Sequence, residues 1–140
     1  MASPIFPQFP RPYRGFLGPL GISADGMARQ QQFVDVISQN IANAETTRTP
    51  TGGPYQRQIA VMGTDPATGA PQVSVVQDTT PGNTVYDPGH PDADASGYVH
   101  YPNVDIPTET VDLMIARRMH EANATAFSTA KAMIHRAIDI

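Results

Sequence analysis

The segment Asp87-Pro88-Gly89-His90-Pro91-Asp92-Ala93-Asp94 is the densest set of chemically capable side chains in this sequence. Carboxylates suit hard divalent cations, and imidazole suits zinc, copper or iron. Within eight residues, three carboxylates and one imidazole could therefore hold a metal. The setting argues against it. Pro88 and Pro91 stiffen the loop, and His100, His120 and His135 are scattered rather than set at a ligand interval. Asp, Pro and Gly clustered in this way are the ordinary chemistry of turns. Asp87 is expected to accept backbone N–H bonds, Gly89 to allow a left-handed turn, and His90 to hydrogen-bond rather than ligate. No metal and no cofactor is predicted.

Other catalytic patterns are missing from the sequence. There is no cysteine, which removes disulfides, thiolate ligands and thiol nucleophiles. There is no Gly-x-Ser-x-Gly elbow. Gly52-Gly53-Pro54 has no following helix and lysine to make a phosphate cradle, and reads as a turn. The net charge of −4 carries no basic patch for nucleic acid. Arg117-Arg118 reads either as a solvated helix face or as one half of an inter-subunit ion pair with an acid such as Asp35 or Glu45. No enzymatic activity is expected. The one alternative of that class is a small metal-binding or hydrolytic domain using Asp87 and His90.

The elements that would position these residues follow from proline. All fourteen prolines lie outside Ser23–Ala44 and Thr108–Ile140. A proline inside a helix costs about 3 kcal/mol or more. The two proline-free stretches carry helical apolar periodicity, so the fold class expected is mainly α with a small β portion. Helix one is predicted to start near Ser23, with Asp25 in its first turn, and to fade through Asn43–Thr47 before Pro50. Met27, Val34 and Ile41 recur every seven residues, with Ile37 and Ala44 at the other seam position, as in a coiled coil. Helix two is predicted to start with Thr108 as N-cap and to run to Ile140. It carries two apolar lines. One is Ile115, Met119, Ala122, Ala126, Met133, Ala137 and Ile140. The other is Phe127, Ala130, Ile134 and Ile138.

Three regions result. Residues 1–21, rich in Pro, Gly and aromatics, read as a flexible arm. Residues 22–45 with 108–140 read as a terminal-helix coiled-coil domain. Residues 46–107 read as extended and β-rich, with short strands over Tyr55–Met62, Gln72–Gln77, Thr84–Tyr86 and Gly97–Tyr101, making a hairpin or small sheet. Pairing the two helices covers one line of helix two and is expected to leave the Phe127–Ile138 line open. Burying a large apolar side chain is worth roughly 1.5–3 kcal/mol, so an open line drives association. No run of about 18 apolar residues is present, which argues against a membrane span. Pro4, Pro7, Pro10, Pro12 and Pro19 interrupt any secretory h-region, so a cleavable secretory signal is not expected, and a role outside the cytoplasm would need another route.

Several blocks carry a resemblance. Ser38-Gln39-Asn40-Ile41-Ala42-Asn43-Ala44-Glu45-Thr46 resembles the end-of-first-helix signature of bacterial flagellar axial proteins, the rod, hook and junction subunits. Asn43–Pro50 followed by Gly52-Gly53-Pro54-Tyr55, the run Val85–Ala93, then Gly97-Tyr98-Val99 and Tyr101-Pro102-Asn103-Val104 are similar to the C-type subunits of the proximal rod. The resemblance covers about Ile22 to Ile140, and residues 1–21 are longer than that family's usual lead.

The resemblance implies a structural subunit of the basal-body rod. It implies terminal helices that pack as the inner coiled-coil layer of a helical tube, a small outer β portion, type III export, and a tube that crosses the periplasm and transmits torque. The partners implied are other rod subunits and further copies of the chain, with the base ring and export apparatus as additional candidates. The interface residues expected are Val34, Ile37, Ile41 and Asn43 on helix one, and Met119, Ala126, Phe127, Met133, Ile134 and Ile138 on helix two. The signature loop, Tyr86, Asp87, Pro88, Gly89 and His90 with Tyr101, Pro102 and Asn103, is expected to fix contacts between neighbours. The alternative within the resemblance is another axial subunit of rod or hook type.

Overall fold

The computed structural model describes residues 11–139, with side chains from 21 onward. Two long helices frame two small antiparallel sheets. Helix α1 spans Arg11–Ala42 and helix α2 spans Ile106–Ile138. Between them lie β1 (Gln58–Thr64), β2 (Pro71–Gln77), β3 (Thr84–Tyr86) and β4 (Tyr98–His100). Strand β1 pairs with β2 from Gln58↔Gln77 to Thr64↔Pro71, and β3 pairs with β4 around Val85↔Val99.

Both helices start earlier than proline spacing suggested. The N-cap of α2 is Asp105, not Thr108: its carboxylate accepts from the Thr108 N–H at 3.2 Å and from the Thr108 hydroxyl. Pro107 then sits in the first turn, where its missing N–H removes no helical bond. Helix α1 begins at Arg11 rather than Ser23 and takes in Pro12 and Pro19. Pro12 is tolerated on the same ground. Pro19 lies inside the helix and removes the bond to residue 15. Of the arm expected over residues 1–21, the first ten lie outside the described residues.

The helices run antiparallel. Asn123 Nδ2 of α2 donates to Gln30 Oε1 of α1 at 2.9 Å, while Asn40 Nδ2 of α1 donates to Glu109 Oε2 of α2 at 3.1 Å. The covered side of α2 carries Glu109, Leu113, Ala116, His120, Asn123, Phe127, Ala130 and Ile134, alternately four and three residues apart. This reverses the expected pairing. Phe127 and Ile134 are half-buried toward the helix pair, and the open line is the other one, with Met119 54% and Met133 65% exposed. Ile138, at the last turn, is exposed as expected.

Helix α1 is covered on two sides, because the β1–β2 hairpin lies along it as well as α2. That second cover buries Val36, a position between the expected seams. Val34, Ile37 and Ile41 are half-buried. Among the described residues the buried apolar side chains are few: Val36, Ala44 and Val99. The accessible surface is 10502 Å² at 15.0 kDa, against about 7,000 Å² for a compact monomer of that mass. Folding therefore leaves much of the apolar surface in water.

Candidate functional site

A polar clasp joins the two helices to the root of the hairpin. Asn40 is buried near the end of α1, where its side-chain amide meets the first residue of β1. Asn40 Nδ2 donates to the Gln58 carbonyl, and Asn40 Oδ1 accepts from the Gln58 N–H, both at 2.8 Å. The side chain thus copies the paired bonds of a neighbouring strand. It also accepts from the Tyr55 hydroxyl at 3.0 Å. From α2, Glu109 accepts from Asn40 through one oxygen and from Arg57 Nε, at 2.6 Å, through the other.

Glu109 is the largest fully buried side chain described, and Arg57 supplies its counter-charge. Arg57 also reaches Asp78 at 3.8 Å, just beyond the Gln58↔Gln77 end of the hairpin register. Burial, and then the Glu109 charge, push the Tyr55 phenol above its ordinary value. No buried side-chain polar atom of this cluster lacks a partner, which is the condition for a buried network to fix one geometry. The sequence reading had Asn40 only as a letter of a motif. Nothing in the sequence paired Arg57 with Glu109. The available signal was an acid one turn into a helix that also carried the apolar face.

The Asp87–Asp94 segment spends its polar groups on itself. Asp87 Oδ1 accepts from the Gly89 N–H at 3.1 Å, and His90 Nδ1 accepts from the Asp92 N–H at 3.1 Å. Asp92 takes the Thr47 hydroxyl at 2.8 Å and Arg48 at 3.4 Å, which ties the loop to the chain leaving α1. Asp94 accepts from the Tyr98 and Ser96 amides and lies 3.5 Å from His100 Nε2. Those bonds, the Tyr98 amide first, hold its carboxyl below the ordinary value. The left-handed residue is not Gly89 but Gly97, at φ 83°, beneath the Tyr86 ring. Tyr86 and Tyr98 meet edge to face at 5.2 Å. Tyr101 donates its N–H to the Asn83 carbonyl, and the Tyr101-Pro102-Asn103 backbone presses on Gly82 so closely that a Cβ there would lie 2.0 Å from the Tyr101 oxygen. The signature loop and the Tyr101–Asn103 run are thus one knot around buried Val99.

Among the described residues, two apolar surfaces stand open beside α2. One is the outer line of α2, with Met114, Ile115, Met119 and Met133 each more than half exposed, joined at the last turn by Ile138, which is exposed at the end of the covered line. The other is a groove of about 450 Å³ between α1, β1 and α2, walled by Phe33, Val36, Ile37, Ile59, Met62, Ile115 and Met119. Ile115 and Met119 belong to both surfaces. Arg117 and Arg118 are exposed and make no ion pair among the described residues. Asn43 closes the end of α1 by donating to the Gln39 carbonyl at 2.9 Å. A charge-neutral clasp, a self-satisfied loop and open apolar lines are features of a part that assembles.

Comparison with known proteins decides the family. Residues 20–48 match the family model "Flagella basal body rod protein", and residues 95–140 match "Flagellar basal body rod FlgEFG protein C-terminal". The flagellar basal-body rod protein FlgC of Borreliella burgdorferi is 35% identical over 148 residues, covering 90% of this chain and 97% of the relative. Its counterpart in Salmonella typhimurium is 37% identical over 124 residues, covering 85% and 92%. The Bacillus subtilis protein of the same name is 36% identical over 142 residues, covering 86% and 95%.

The chain belongs to the FlgC family of flagellar basal-body rod proteins.

It is a structural rod subunit of the basal body, and the relatives' names state no reaction. No described helix of this FlgC-family chain is long and apolar enough to cross a membrane.

Proposed function

We propose that this chain is a proximal-rod subunit that polymerises through its terminal helices, with α1 and α2 as an inner coiled-coil layer and residues 46–107 facing outward. The exposed Met and Ile line of α2 carries the reading. The described residues offer no cover for it, and four such side chains at roughly 1.5–3 kcal/mol each on full burial are a strong drive toward neighbours. The alternating four- and three-residue spacing of the covered positions fits coiled-coil geometry. The Asp87–Val104 knot, rigid through its own bonds, presents a fixed outer surface to adjacent subunits. Neighbours of this kind would be other rod proteins and further copies of the chain, in a tube that spans the periplasm and passes torque. Transit through the type III export channel completes this reading.

The test uses residues that stand clear of the fold. Met133→Asp with Ile138→Asp alters side chains that are 65% and 70% exposed, so helicity and unfolding midpoint should change little. Incorporation into isolated basal bodies should fail, and the strain should not swim. A motile strain carrying the folded double variant at normal copy number would refute the assignment of this face. Phe127→Asp and Ile134→Asp are poorer probes, because both side chains are half-buried within the subunit.

A further inference from the structure

The groove between α1, β1 and α2 has apolar walls and one unsatisfied charge. Asp112, half-buried on its α2 rim, takes no hydrogen bond or ion pair among the described residues, whereas Glu109 beside it is neutralised by Arg57. The groove therefore suits an apolar segment accompanied by positive charge. The chain carries such a segment before α1. Residues 1–10 contain Ile5, Phe6 and Phe9 between prolines and no acid, and Arg11 and Arg14 follow in the first turn of α1. Short apolar segments spaced by prolines, as at positions 4, 7 and 10, dock into aromatic and aliphatic grooves at low ordering cost. Methionines such as Met62 and Met119 make walls that adapt to an aromatic ring.

The segment cannot fill the groove of its own subunit. Helix α1 starts at Arg11, and Gln30 is the nearest α1 residue lining the groove, so the opening lies about 28 Å along the helix axis. Ile5 is six residues before Arg11 and reaches at most about 21 Å even when fully extended. Phe6 and Phe9 reach less. We propose that Ile5–Phe9 of one copy docks into the α1–β1–α2 groove of a second copy. The flagella basal-body rod family match begins at residue 20, so the donor segment lies outside it while Phe33, Val36 and Ile37 lie within it. The contact adds to the rod reading and does not depend on it.

The absence of cysteine makes the test clean. Full-length Phe6→Cys and Met119→Cys chains, tagged to differ in size, are mixed and oxidised. The heterodimer should form about tenfold more than when Phe6→Cys is mixed with Arg136→Cys, a site outside the groove. A labelled peptide of residues 1–12 should bind the wild-type chain, and Met119→Lys, at a half-exposed position, should weaken it at least about tenfold. Equal yields with both cysteine partners would overturn the proposal. So would closure of a Phe6→Cys/Met119→Cys chain on itself at high dilution, or a preferred Met133→Cys to Met119→Cys bridge, which would put a neighbour's helix in the groove. None of these outcomes touches the rod reading, which rests on incorporation of the Met133 and Ile138 variant.

Discussion

Replacing Arg57 with methionine isolates the clasp. The change keeps an unbranched apolar stem but removes the guanidinium whose Nε lies 2.6 Å from Glu109. Glu109, with 2% of its side chain exposed, is then left with the Asn40 amide at 3.1 Å as its one remaining side-chain partner among the described residues. Breaking a buried pair from one side costs about 3–5 kcal/mol. Arg57 is 27% exposed, so water already screens part of the interaction, and we place the loss at the lower end, about 3 kcal/mol. Glu109→Leu should cost less, about 1–2 kcal/mol, because the freed Arg57 can turn to Asp78 and water, and Asn40 keeps both bonds to Gln58.

The double variant Arg57→Met/Glu109→Leu removes both charges together and should lie within about 1 kcal/mol of wild type. Urea unfolding followed by far-ultraviolet circular dichroism reads all four proteins. At the usual urea sensitivity, a 3 kcal/mol loss moves the midpoint by about 1–3 M with an unchanged slope. Should Arg57→Met not fold, Arg57→Lys keeps the charge without the planar fork and should fall between it and wild type. A loss under about 1 kcal/mol for Arg57→Met, or a double variant as unstable as the two single losses added, would refute the reasoning.

Glycine positions give a sharper contrast. Gly82→Ala places a methyl 2.0 Å from the Tyr101 carbonyl oxygen and 2.5 Å from the Pro102 carbonyl carbon, which should cost about 1–3 kcal/mol. Gly97→Ala meets both the Tyr86 ring at 2.9 Å and a φ of 83° and should lose a similar amount, about 1–3 kcal/mol. Gly89→Ala meets nothing closer than 3.5 Å and should stay within about 0.5 kcal/mol of wild type in the same unfolding assay. Asp105→Ala should lose about 1 kcal/mol as a cap, and Thr108→Ala, which leaves the amide bond to Asp105 in place, should lose less. Asp65, Asp78 and Asp94 titrate below the ordinary 3.8 when folded, held respectively by the Ala67 amide, Thr80 and the Tyr98 amide. Their stabilisation is complete above 3.8 and disappears as pH falls through the folded values, so Asp94→Asn should flatten the acid limb of an unfolding-midpoint-versus-pH curve. Tyr55 titrates above 10.0 when folded. The fold then retains a proton that the unfolded chain releases, so stability should fall as pH rises past 10.0, and Tyr55→Phe should remove that part of the slope.

Much of the fold was legible in composition. Two proline-free periodic stretches gave two helices, and β-branched runs between Gly and Pro gave β2 and β3 at nearly their observed bounds. Helix starts were misread because a proline's cost depends on its place. Pro107 and Pro12 occupy first turns, where no helical N–H is lost. The clasp was hidden for a different reason. Asn40, Arg57 and Glu109 are 17 and 52 residues apart in sequence, and the chain topology alone brings them together.

The reversed stripe on α2 teaches more than either. Hydrophobicity marked Ile115, Met119 and Met133 as the side for α1, yet the covered side carries Glu109, His120 and Asn123 among small Ala116 and Ala130. Polar residues can occupy a covered seam when bonds are waiting there, as they are for Glu109 at Asn40 and for Asn123 at Gln30. Small residues let the helices approach. Leu113, Phe127 and Ile134 share that covered side, while Met114, Ile115, Met119 and Met133 are left for the outside, where a single copy gains little from them. A helix whose intramolecular side mixes polar and small residues with a few large apolar ones, and whose outer side keeps a long apolar line, has an interface left for another chain. That inversion, more than any motif, ties this fold to assembly.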